Sequence, residues 1–257
     1  MILHAIDHLR RRWISHRYWR EPCWSEWYRR EKDYEYQTFI NEARWAKLTP
    51  KNEHSFTGAA DTDYLLLSRY IVMRRPARVL ELGGGLTTYV IAKAMKEGGA
   101  GQLWSVDHVQ RYSSQTESVL WANMLRDVRF SVSPTTFNTI YAGVSAVRYR
   151  ELPKGPFDMI YVDGPPSTVG KEQFPCVDAL LALGDEPTDI IIDGRLPTVN
   201  YFSLWLSCTV WYDPILGVGF VRGATATDVI DKPNSWAKPR ARLGDARSLF
   251  STKELKP

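Results

Sequence analysis

The chain has 257 residues, enough to bury a full core as one large domain or as one domain with appendages. At 44% apolar and 24% charged it has the make-up of a globular protein. That excludes disorder of the whole chain, and no apolar run approaches the roughly 20 residues that a bilayer-spanning helix needs.

The net charge of +4 is unevenly placed: residues 1–30 carry +4, residues 231–257 carry +4, and the stretch between them carries −4. A basic surface for a nucleic-acid backbone is therefore not a property of the middle of the chain, and a nucleic-acid partner is not expected. Residues 1–56 read as a helical arm. Ile2, Ile6, Leu9 and Trp13 share a helical face, arginines follow, and Pro22 interrupts before a second helical stretch from Trp24 to Leu48. The arm puts its apolar residues before its arginines, the reverse of a secretory signal. Cys23, Cys176 and Cys208 show neither metal-ligand spacing nor a disulfide framework. Both observations point to a cytoplasmic protein. For the arm itself three uses stay open: packing on its own core or on a second copy as a homodimer, peripheral contact with a membrane surface, or a lid over substrate built from Trp24, Trp27, Tyr28 and Trp45.

Asp61 opens a helix through Tyr64, Leu67, Ile71 and Met73. From Arg78 short apolar strands alternate with helices. Strands are expected at 78–82, 102–106, 128–132, 157–162 and 189–192, and helices at 87–97, 113–125, 172–183 and 201–207. Alternation of this kind means a parallel sheet covered on both faces. Strands at 208–212 and 217–222 are joined by four residues, too few for a crossover, so they form an antiparallel hairpin. The expected fold is α/β: a doubly wound, Rossmann-like, mostly parallel seven-stranded sheet over 57–223, with a terminal antiparallel hairpin. The helical extension precedes it, and a basic tail, 224–257, mobile or strapped over the surface, follows.

The strongest chemical signal is Glu81-Leu82-Gly83-Gly84-Gly85-Leu86-Thr87-Thr88, between a strand and a helix. Glycines let the backbone turn sharply and approach a ligand, and the helix start offers free N–H groups to an anion. Glu81 is an acid placed to meet a cationic amino group. Asp107, at the end of the next strand, can accept hydrogen bonds from ribose hydroxyls. A nicotinamide-binding turn has a third glycine where this chain has Thr88.

VLELGGGLTT, LWSVDH and FDMIYVDGPP resemble, in order and spacing, three motifs of the class I S-adenosylmethionine (SAM)-dependent methyltransferases. The resemblance covers about residues 57–223. It implies that Glu81, Gly83, Gly84, Gly85 and Asp107 bind SAM, that Thr87 or Thr88 touches its carboxylate, and that His108 lies near the adenine. It also implies methyl transfer near the end of the strand that carries Asp163; a base within reach of the acceptor would help, and the candidates are Asp163, Asp193 and His54, in that order. In the divalent-metal, catechol-type relatives two such carboxylates and an asparagine hold Mg²⁺. Asp163 and Asp193 match two of these ligands, but the third position is Gly194, and Pro165 and Pro166 stand where a basic residue is expected. Asp163-Gly164-Pro165-Pro166 also departs from the Asp/Asn-Pro-Pro-aromatic box of base-methylating enzymes, which favours a hydroxyl of a small molecule or sugar as acceptor. The rival from another class is a SAM-fold binding protein without catalysis, recruiting an anionic partner through its basic ends.

Overall fold

The computed structural model describes residues 33–45, 48, 59–99, 101–141, 144–166, 168–169, 172–230 and 241–250. His54, Trp24, Trp27, Tyr28 and the arginine-rich start of the arm lie outside the described residues.

Among the described residues, six α-helices and twelve strands follow in chain order. They are α1 (Tyr34–Trp45), α2 (Asp61–Arg74), β1 (Arg78–Leu82), α3 (Leu86–Gly98), β2 (Gln102–Asp107), α4 (Gln110–Ala122) and β3 (Val128–Val132). Next come β4 (Thr135–Tyr141), β5 (Val144–Tyr149), β6 (Met159–Val162), β7 (Thr168–Val169), β8 (Glu172–Gln173) and α5 (Asp178–Leu181). The chain continues with β9 (Thr188–Asp193), α6 (Leu196–Trp205), β10 (Val210–Asp213), β11 (Val218–Ala224) and β12 (Arg242–Leu243). Eight of the described strands make the main sheet, in the order β12-β10-β11-β9-β6-β1-β2-β3. β3, β2, β1, β6 and β9 run parallel, and β11 enters antiparallel between β9 and β10. The strand order reverses about β1, so the crevice for a ligand opens at the carboxyl ends of β1, β2 and β6.

Alternation along the strands sends side chains into two cores. Val79, Met159, Tyr161 and Ile191 face α1, α2 and α3, whereas Leu80, Leu82, Ile160, Val162 and Ile190 face Phe202 and Trp205 of α6. At the N-terminus of α2 the Asp63 carboxylate accepts the Ala60 N–H at 2.8 Å, so the cap is made two residues later than Asp61.

Two expectations are corrected. The helix expected at 172–183 shrinks to α5, because residues 172–173 pair with β7, Pro175 has no N–H to give a helix, and Cys176 bridges Val147 instead. The stretch 241–250, read as tail, is part of the fold. β12 pairs with β10, and Ala246 and Leu249 are fully buried. The fastener is Asp213, a fully buried carboxylate. It accepts from the Tyr36 hydroxyl at 2.6 Å, the Ala246 N–H at 3.0 Å, and the Ile215 and Leu216 N–H groups at 2.9 and 3.0 Å. One side chain thereby joins α1, the β10–β11 hairpin and the C-terminal segment, and it satisfies four donors that burial would otherwise leave costly.

Candidate active site

The glycine turn after β1 divides into positions that the chain itself requires and one that it does not. Gly83 has φ +97°, and a Cβ there would lie 2.6 Å from the carbonyl carbon of Asp163 and from the Gly164 nitrogen. The loops after β1 and β6 therefore touch through bare backbone. A Cβ on Gly84 would meet the Ser105 hydroxyl at 2.9 Å. Around Gly85, which precedes α3, a Cβ would meet nothing within 4 Å. Its neighbours within the chain do not demand a glycine there, and its Cβ direction opens on free space.

Glu81 sits beneath this turn, wholly buried. It accepts from Thr87 Oγ1 at 2.6 Å, Thr88 Oγ1 at 2.5 Å and Ser105 Oγ at 2.7 Å. Burial pushes its carboxyl up to about 7, against the pull of the three hydroxyl donors. Thr88 Oγ1 in turn accepts the Gly85 N–H at 2.9 Å. Glu81, Thr87 and Thr88 are thus engaged with one another under the turn. Asp107, at the end of β2, is 5% exposed and accepts the Gly84 N–H at 3.1 Å and the Val109 N–H at 2.7 Å. Each of its oxygens keeps acceptor capacity beyond these single bonds. His108 is half-buried, with Nδ1 3.3 Å from the Asp107 carboxylate.

The strand ends of β6 and β9 bring Asp163 and Asp193 together. The Asp163 carboxyl is pushed up to about 7, by burial first and by Asp193 second, and it hydrogen-bonds to Asp193. Arg195 pulls it back. Its guanidinium lies 3.3 Å from Asp163 Oδ1, donates to the Asp163 carbonyl, and donates to the Pro165 carbonyl at 2.7 Å. From the other side α2 delivers Tyr64, whose phenol is pushed up by burial and by Asp63, Asp163 and Asp193. Gly194 contributes a backbone N–H bonded to the Gly217 carbonyl at 2.9 Å and no side-chain donor.

Residues 80–186 match the family described as a methyltransferase domain, a span that contains the glycine turn, Asp107 and Asp163. The parallel core with its terminal antiparallel hairpin is the arrangement that the motifs led us to expect. Residues 80–186 are thus similar to a methyltransferase domain, in agreement with the motifs that resemble those of the class I SAM-dependent methyltransferases. Solved methyltransferases resemble this chain at low identity. A methyltransferase from Geobacter sulfurreducens shares 14% identity over 73% of this chain and 88% of its own, with a TM-score of 0.43. The S-adenosylhomocysteine (SAH)-bound methyltransferase PaMTH1 from Podospora anserina shares 15%, over 64% and 62%, at 0.39. The O-methyltransferase TomG from Streptomyces achromogenes, solved with SAM and involved in tomaymycin synthesis, shares 16%, over 63% and 68%, at 0.39. The chain spans only 61–63% of the length of several such relatives. Among curated proteins nothing matches.

The fold brings Gly83, Gly84, Gly85, Asp107 and His108 to one crevice and Asp163 and Asp193 to its neighbour. Two residues of the site escaped the sequence reading. Ser105 lies mid-strand and reveals itself only by facing Glu81. Arg195 supplies the positive charge that Pro165 and Pro166 seemed to leave missing, but from the loop after the next strand. Trp45, expected in a lid, stands 80% exposed at the end of α1.

Proposed function

We propose that this chain transfers a methyl group from SAM to a hydroxyl of a small molecule or sugar, without a metal ion. The observation that carries this reading is the open space at Gly85, beside the Asp107 carboxylate and at the start of α3. A glycine with no internal reason, next to helix N–H groups and a ribose-type acceptor, is a cradle for a ligand with a carboxylate and a diol. The α3 N-terminus would hold the methionyl carboxylate and Asp107 the ribose. Glu81 supports the turn through Thr87, Thr88 and Ser105; its burial argues against a place on the cofactor's amino group.

Bound there, SAM supplies an electrophilic sulfonium methyl for in-line attack by an acceptor oxygen. Asp163 is our candidate to take the acceptor's proton, since a carboxyl held near 7 is half-ionised at neutral pH and so is suited to a base role. Asp193 shares the negative charge of the pair, and Arg195 orients Asp163 and balances that charge. A divalent ion does not fit these residues. Gly194 brings no side-chain ligand, Arg195 already lies against Asp163, and among the described residues no three His, Cys, Asp or Glu side chains converge on a metal position.

SAH release from SAM, scored across hydroxylated small molecules and sugars with and without chelator, tests the proposal. Turnover indifferent to chelator is expected. Activity that disappears on chelation and returns with Mg²⁺ would overturn the metal-free reading. SAM binding without SAH release for any acceptor would favour a binding protein on the same fold.

A further inference from the structure

The two acids at the ends of β6 and β9 come with a cation of their own. Arg195 follows β9 in the sequence Asp193-Gly194-Arg195, where Gly194 stands at φ +54°. Its guanidinium reaches back over the loop after β6 and meets three oxygens. It lies 3.3 Å from Asp163 Oδ1, donates to the Asp163 carbonyl, and donates to the Pro165 carbonyl at 2.7 Å. The Arg195 side chain is 14% exposed, so the charge is set into the loop rather than spread over the surface.

A carboxylate and two backbone carbonyls are hard oxygen donors, the kind that Mg²⁺, Mn²⁺ and Ca²⁺ take. Asp193 stands beside them, hydrogen-bonded to Asp163. Two carboxylates so close repel each other unless a cation or a proton lies between them. A guanidinium supplies that charge at every working pH, because it does not lose its proton in proteins. While it is seated there, a divalent ion would have to displace its hydrogen bonds and stand against a like charge.

We propose that Arg195 is the resident cation of this site, a positioning residue that fills the oxygen nest a divalent ion would otherwise take, so that Asp163 and Asp193 become a metal site only when Arg195 is removed. The inference rests on the metal-free reading proposed above and extends it from a site that lacks ligands to a site whose ligands are already taken. It gives the departures at Gly194, Pro165 and Pro166 one cause: the loop holds an arginine in place of an ion.

Mn²⁺ alone is the probe. It is titrated by calorimetry into the wild-type chain, Arg195→Gln, Arg195→Lys, Asp163→Asn and the double variant Arg195→Gln/Asp163→Asn, each with its melting curve. Arg195→Gln is expected to bind Mn²⁺ at least about tenfold more tightly than wild type. The gain should vanish in the double variant, and Arg195→Lys, which keeps the charge, should stay close to wild type. A merely structural arginine would lower Tm on removal without creating an ion site that depends on Asp163. No gain in a folded Arg195→Gln, or an equal gain in Arg195→Lys, overturns the inference and leaves the metal-free reading standing. Wild-type binding of Mn²⁺ that is lost in Asp163→Asn overturns both, and this comparison decides the matter even where Arg195→Gln does not fold. None of these titrations contains SAM, so a failure of the chain to bind SAM is a separate result.

Discussion

The turn after β1 and the ends of β6 and β9 are both built round buried carboxylates, but they are neutralised in different ways. Glu81 is answered by hydroxyls close along the chain, Thr87 and Thr88 in the next helix and Ser105 in the next strand. Burial moves the Glu81 carboxyl up towards neutrality against the pull of these donors, and the cluster is a closed support. Asp163 is answered by a cation, Arg195, from 32 residues further on. Its side chain keeps 27% of its surface, and it shares the crevice with Asp193. A closed hydroxyl cluster suits a rigid cofactor seat, and an open, charge-balanced pair suits a place where a proton has to move.

The comparison breaks most sharply at Asp163. Asp163→Asn keeps the size of the side chain and removes the base, so turnover should fall by about a hundred- to ten-thousandfold. SAM affinity should stay close to wild type. SAH release and calorimetry read the two sides separately. Full turnover in this variant would move the acceptor chemistry elsewhere, towards His54 and the N-terminal arm. On the cofactor side, Asp107→Ala removes a charged acceptor worth about 1.5–3 kcal/mol, a loss of roughly ten- to hundredfold in SAM affinity. Equal affinity would show that the ribose lies elsewhere.

A smaller effect follows from the buried supports. Glu81 and Asp178 are raised to about 7 and Asp213 to about 6, each by burial, from ordinary values of 4.5, 3.8 and 3.8. Between about pH 4 and pH 7 the folded chain then holds protons that the unfolded chain has released, so stability falls as pH rises through that window. Tm should be lower at pH 8 than at pH 5.5, and Glu81→Gln should flatten part of the slope. A Tm that rises over the same interval would contradict the assignment of these carboxyls as buried and raised.

What the sequence made legible was the repeating part of the fold. Continuous apolar runs such as Met159–Val162 and 190–192 read as doubly covered strands, and the acids that follow them fall at the crevice because an open α/β sheet places its ligand site at the carboxyl ends of its strands. The β4–β5 hairpin was not anticipated, although Thr135, Thr136, Ile140, Val144 and Val147 give it β-branched strands on either side of Ala142-Gly143. Residues 241–250 looked like tail because their charge hides four small contacts: β12 on β10, Ala246 on Asp213, and buried Ala246 and Leu249. The direction of Glu81 and the arrival of Arg195 depend on which elements pack together. Spacing along the chain does not carry that information.

The central claim is that the turn after β1 is a cofactor seat whose one free position is Gly85. It is tested most directly by titrating SAM into the wild-type chain, Gly85→Ala and Gly83→Ala, each with its ligand-free melting curve. Gly83→Ala forces a side chain into φ +97° against the Asp163 and Gly164 backbone, and should destabilise the fold by about 1–3 kcal/mol or more. Gly85→Ala places its methyl in open space. The account predicts an unchanged ligand-free Tm for Gly85→Ala together with SAM affinity at least about tenfold below wild type. Wild-type affinity in Gly85→Ala, or no SAM binding by the wild-type chain, would contradict it.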